Sequence, residues 1–240
     1  MKKSRIIILI LALIAAVCTF IYIYIDYLAP RIITQPSVSQ TFTNYRDTIP
    51  KIDTTSQNIL LIGDSMAYSL MFRVQNYCNY NHHNLNVVTW VSATTQTYAE
   101  CDTLEYFVNL YHPTYILFVI GANEMFVRDA YERINNVDRI IPQTHGIPTI
   151  WIGPPNWKED TGINEMILAN VGSRQYYPSK NLKYKRYADG AHPKPESAFM
   201  WCDSVAKFIM DKSRHPILLN PPTKKYSGSP NSTILQPWKQ

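Results

Sequence analysis

What this chain lacks narrows its function before any motif is considered. It has only four cysteines, and Cys18 falls inside a long apolar run, leaving Cys78, Cys101 and Cys202. Three thiols allow at most one disulfide, whose pairing the sequence does not give, so a disulfide scaffold is excluded. Cys78 precedes His82 and His83, but no second ligand pair stands at a matching spacing, and the group reads as a loop rather than a metal site. The formal net charge is +5, yet it has no nucleic-acid pattern. Lys2, Lys3 and Arg5 precede the apolar run, and Lys224, Lys225 and Lys239 lie in a proline-rich tail. The one internal basic cluster, Lys180, Lys183, Lys185 and Arg186, reads as a solvated loop, with contact to an acidic polymer or substrate the lesser alternative. No internal repeat is visible, and a second membrane-length run is missing from this sequence, which counts against an acyltransferase fed by a multi-span membrane domain.

The one long apolar run, Ile6 to Ile25, has twenty positions without a charge. As a helix rising about 1.5 Å per residue it spans about 30 Å, the hydrocarbon thickness of a bilayer. Tyr22, Tyr24 and Asp26 crowd its exit, with no small-x-small cleavage site, which favours an uncleaved anchor over a removed signal peptide. Lys2, Lys3 and Arg5 place its start on the cytoplasmic side, and the rest of the chain is expected outside that membrane. Residues 1–26 are therefore expected to be stub and anchor, 27–57 a stalk with Pro30, Pro36 and Pro50, 58–213 the folded domain, and 214–240 an extended or disordered tail with five prolines.

Within 58–213 apolar runs alternate with helical periodicity. Strands are expected at 58–63, 85–90, 115–120 and 149–153, with a last short one at 175–177. Helices are expected at 65–79, 98–111, 124–141, 159–170 and 194–212. This alternation predicts an α/β domain with a parallel sheet covered on both faces. Such sheets place their sites beyond the carboxyl ends of the strands. Ser65, Asn123 and Pro154 all follow predicted strands, so one crevice can collect them.

Gly63-Asp64-Ser65 ends the first strand. Taken singly, the triplet fits a turn or a helix cap. A serine at a strand-to-helix turn is also exposed at the sheet rim, with its N–H at a helix N-terminus. It needs a base to become nucleophilic at neutral pH. Asp189-Gly190-Ala191-His192-Pro193 supplies a histidine with a carboxylate three residues upstream, able to hold one imidazole nitrogen and leave the other for Ser65. His82, His83, His112, His145 and His215 lack such surroundings and read as surface or packing residues. Gly121-Ala122-Asn123-Glu124 follows the most apolar strand; Gly121 permits a tight exit. Asn123 is either a helix N-cap or an amide donor for an oxyanion, a role worth about 10²–10³ in rate.

These blocks resemble those of the SGNH (GDSL-type) hydrolases over roughly residues 58–211. Gly63-Asp64-Ser65 is similar to that family's first block, Gly121 and Asn123 to its third, and Asp189, His192 and Pro193 to its fifth. Glu124 stands where the family has aspartate, and Val91-Ser92-Ala93 where it supplies a glycine. The resemblance implies a three-layer, flavodoxin-like α/β/α fold, a Ser65–His192–Asp189 triad, and no metal or cofactor. It also implies oxyanion donors from the Ser65 N–H, the second block (Ser92 or Ala93) and Asn123. Asp64, Gly121, Glu124 and Trp157 are the further residues expected at the substrate crevice. Trp90, Trp151, Tyr176 and Tyr177 are additional sugar-stacking candidates, with packing the more common role for them.

The expected protein is a membrane-anchored serine esterase acting on an acylated glycan or small ester outside the cytoplasmic membrane. The alternatives are an O-acyltransferase on the same scaffold, or a glycan-binding domain that retains the fold without turnover.

Overall fold

The computed structural model describes residues 17, 19, 50–224 and 228–237. The chain divides into two compact units, Met1–Thr48 and Ile49–Gln240. The expected transmembrane helix falls in the first unit and, apart from Val17 and Thr19, lies outside the described residues. Among the described residues no helix is long and apolar enough to cross a membrane.

The second unit is an α/β domain. In chain order it contains β1 (Asn58–Gly63), α1 (Ser65–Asn81), β2 (Asn84–Trp90), α2 (Thr95–Ala99), α3 (Thr103–Tyr111) and β3 (Tyr115–Val119). Then follow α4 (Ile134–Ile140), flanked by 3-10 turns Ala130–Arg133 and Ile141–Thr144, and β4 (Thr149–Ile152). The rest is α5 (Ile163–Val171), β5 (Tyr176–Tyr177), α6 (Pro195–Lys212) and β6 (Asn231–Leu235). The six strands form one sheet in the order β5-β4-β3-β1-β2-β6, and every pairing is parallel.

Burial on both faces explains why β1 and β3 read as continuous apolar runs. Alternate residues serve two cores. Ile59 and Leu61 pack with α1 and α6, through Met66, Leu70, Trp201 and Val205. Leu60 and Ile62 pack with α2 to α5, through Tyr98, Phe107, Val137 and Ile163. Gly63 ends β1 with no room for a side chain: a Cβ there would lie 1.8 Å from the Val119 carbonyl oxygen.

Three expectations need correction. The helix expected over 98–111 is two, because Thr94 and Thr97 form a capping box that starts α2 early and the chain breaks at Glu100–Asp102. The helix expected over 124–141 begins only with the turn at Ala130. The tail after 213 is part of the domain. Ile217 bridges Asp53 in parallel, and β6 runs beside β2 from Asn231↔Asn86 to Leu235↔Trp90, with the Trp90 indole N–H donating to the Gln236 carbonyl at 3.1 Å. Cys78, Cys101 and Cys202 are free thiols. His83 fastens the lead-in: its Nδ1 accepts from the Gln57 N–H at 3.1 Å, and its Nε2 lies 2.7 Å from the Leu218 carbonyl.

Candidate active site

The site lies at the carboxyl end of β1, where the chain first moves to β2 on one side and later to β3 on the other. Such a switch opens a crevice between the diverging connections. Asp64 turns the chain out of the sheet. Its N–H donates to the Val119 carbonyl at 2.9 Å, and its side chain caps α1 by accepting from the Met66 N–H at 2.8 Å. Ser65 is the first helical residue, so its N–H has no intrahelical acceptor and sits at the positive end of the helix.

His192 approaches on a short antiparallel turn. The Tyr187 N–H donates to the His192 carbonyl at 3.0 Å, and the Lys194 N–H to the Lys185 carbonyl at 2.8 Å. Pro195 then opens α6 at its first turn. α6 is clamped to α1, the helix of Ser65: Arg73 Nε donates to Asp203 Oδ1 at 2.7 Å and Tyr77 donates to the same oxygen at 3.0 Å. His192 Nε2 lies 2.9 Å from Ser65 Oγ, and His192 Nδ1 lies 2.8 Å from Asp189 Oδ2. Asp189 Oδ1 also accepts from the N–H groups of Ala191 and His192 at 2.8 and 3.0 Å. The His192 bond, followed by these two, holds the Asp189 carboxyl down at about 2. An ionised Asp189 only accepts, so Nδ1 carries the proton and Nε2 is free to accept from the Ser65 hydroxyl. The pair is open to solvent, with 37% and 48% of the His192 and Asp189 side chains exposed.

The exits of β2 and β3 are tied together beside Ser65. Asn123 Nδ2 donates to the Ala93 carbonyl at 2.9 Å; the amide retains a second N–H. The Ala93 N–H is engaged with the Trp90 carbonyl at 3.2 Å. Ser92 has φ 61, the left-handed conformation that favours glycine, so a serine occupies glycine-type backbone here.

The other expected crevice residues are mostly structural. Asp64 is fully buried, and its second oxygen accepts from the Ala122 N–H at 3.3 Å. Burial pushes its carboxyl up to about 7, with the Met66 and Ala122 N–H groups opposing. Gly121, at φ 116, is walled in by Ile163, Ile167 and Pro154. Glu124 is 1% exposed. Its oxygens accept from the Thr95 N–H at 2.6 Å and the Thr95 hydroxyl at 2.9 Å, with Arg133 Nε at 3.6 Å. Glu124 therefore anchors α2 instead of facing the crevice. Trp157 is half-buried, its indole N–H donating to the Ala122 carbonyl at 2.9 Å. Trp90, Trp151, Tyr176 and Tyr177 are buried and unavailable for stacking on a sugar. Phe126, which the sequence did not single out, is exposed next to Trp157.

Arg186 was expected in a solvated basic loop. Instead it is half-buried, with its guanidinium on the carbonyls of Ala191, Pro155 and Asn156. The one available signal was arginine among lysines, since its planar fork presents donors in fixed, spread directions that suit several acceptors on different loops. No protein-family model matches this chain, and a search of curated proteins finds no match either.

Proposed function

We propose that this protein is a serine esterase of the SGNH type, built on a flavodoxin-like three-layer scaffold and carried outside the cytoplasmic membrane by its N-terminal anchor. One observation carries the reading: the continuous hydrogen-bonded chain Ser65–His192–Asp189, 2.9 and 2.8 Å long at its two links, at the mouth of a parallel sheet. Ser65 Oγ attacks the acyl carbon while His192 Nε2 takes its proton, and Asp189 stabilises the resulting imidazolium. The oxyanion is met by the N–H groups of Ser65 and Ser92 and the remaining N–H of Asn123. His192 returns the proton to the departing alkoxide. Water activated by the same imidazole then hydrolyses the acyl-serine.

The exposed rim supports a large substrate over a small one enclosed in a pocket. Tyr68 and Phe72 are exposed on α1 three and seven residues after Ser65, on its helical face, and Phe126 and Tyr187 are exposed on the segments that carry Asn123 and His192. Planar aromatic faces of this kind suit an acylated glycan chain. A fluorophosphonate probe tests the nucleophile: the wild type is expected to label and Ser65→Ala to remain unlabelled, and equal labelling would refute the assignment. Hydrolysis of acetylated glycans and 4-nitrophenyl acetate, with Ser65→Ala as control, then identifies the ester.

A further inference from the structure

We propose that Arg186 is a positioning residue that keys the His192 turn to the Ser65 side of the site, a role that rests on the esterase reading above. The turn carrying Asp189 and His192 is exposed. Its internal bonds, Tyr187 to His192, Gly190 to Tyr187 and Lys194 to Lys185, fix its own shape but not its distance from the strand ends. Arg186 sets that distance. One terminal nitrogen donates to the Ala191 carbonyl, one residue before His192. The other donates to Pro155 and Asn156 in the loop after β4, at 3.1 and 2.7 Å. The guanidinium lies over the Tyr184 ring, 5.0 Å from its centroid. Among the described residues no carboxylate forms an ion pair with Arg186; its charge is met by carbonyl dipoles and an aromatic face, with a longer-range attraction to Asp189.

The loop that Arg186 grips leads back to the nucleophile. Trp157, next to Asn156, donates to the Ala122 carbonyl at 2.9 Å. The Ala122 N–H donates to Asp64 at 3.3 Å, and Asp64 caps the helix that Ser65 opens. Asn123, beside Ala122, belongs to the same segment. His192, the oxyanion segment and Ser65 are thus joined by a second circuit that does not use the Ser65–His192 bond. The rigid planar fork spreads its donors over two loops; a compact ammonium on a flexible stem does not reproduce that geometry. Misplacement of a reacting group by about 1 Å costs on the order of 10² in rate.

Arg186→Lys and Arg186→Ala test the role, with Arg186→Gln in place of the alanine variant should that fail to fold. For 4-nitrophenyl acetate we expect kcat to fall about 10²-fold with KM unchanged, lysine to do no better than alanine, and guanidinium ion to restore part of the activity of Arg186→Ala. Thermal melting is read alongside. A readout without turnover is the low-field proton resonance of the His192–Asp189 hydrogen bond, expected sharp in the wild type and broadened or lost in both variants. An Arg186→Lys protein with the wild-type kcat and an unchanged resonance overturns the proposal. Should the wild type neither turn over esters nor label with fluorophosphonate, the esterase reading falls, and the resonance comparison alone decides whether Arg186 positions His192.

Discussion

Asp64 and Asp189 are the same residue type in one site, and their surroundings drive them in opposite directions. Asp189 is exposed and held at about 2, mainly by its bond to His192; Asp64 is buried and pushed up to about 7. The two affect stability in separate pH windows. Asp189 has a folded-state value below the ordinary carboxyl value of about 3.9, so its contribution is complete above that value and is lost as pH falls toward about 2. Asp64 has a folded-state value above the ordinary one. The unfolded chain releases this proton first, so stability falls as pH rises from about 4 to about 7 and then levels off. Burial raises the Glu124 carboxyl as well, adding a contribution of the same sign. The lowered values of His83 and His215 act in the opposite sense, so the test is a difference: the melting temperature of Asp64→Asn relative to the wild type is expected to rise as pH increases from about 4 to about 7. The sequence singled out Ser65, Asp189 and His192 because each sits in a short motif, Gly63-Asp64-Ser65 or Asp189-Gly190-Ala191-His192. It misread Glu124 and Arg186, because whether a charged side chain meets solvent or a buried partner depends on residues far away in the chain: Thr95 lies 29 positions from Glu124, and Pro155 lies 31 from Arg186.

Among the elements, α2 depends on a side chain outside itself. Its first residue, Thr95, gives both its N–H and its hydroxyl to Glu124. Glu124→Ala leaves these donors unpaired in the interior and is expected to cost about 1–3 kcal/mol, measured by urea unfolding, with Glu124→Gln milder because one acceptor survives. The other elements show what periodicity can and cannot reveal. β1 and β3 were legible as apolar runs buried on both faces, and α6 by the spacing of Cys202, Val205, Ala206 and Ile209. The break between α2 and α3 was not, since Tyr98, Leu104, Phe107 and Val108 all pack into one core and continue a helical pattern across the turn. β6 was hidden for the opposite reason: Asn231, Ser232 and Ile234 are exposed, so the strand has no apolar run and follows several prolines.

At the scale of the whole molecule, β6 is the edge strand on the β2 side of the sheet, so that its short polar segment, and not β2, faces outward. Removal of 228–240 bares the β2 backbone from Asn86 to Trp90 and frees the Trp90 indole N–H. Unpaired edges invite association. The truncated protein is expected to melt at a lower temperature and to elute as larger species in size-exclusion chromatography. Placement of β1 beside both β2 and β3 puts Ser65 at the reversal of strand order, and the alternation of strands and helices already implied a site at that end of the sheet. The sequence by itself determined the α/β class, the order of the first five strands and the two short motifs that hold Ser65, Asp189 and His192, because periodicity and short motifs are properties of neighbouring positions. Only the tertiary structure decided that Asp64 and Glu124 are buried struts, that Arg186 joins two loops, and that the tail supplies a strand. Each of these depends on which distant backbone groups come within hydrogen-bonding reach, and that is set by packing around the sheet.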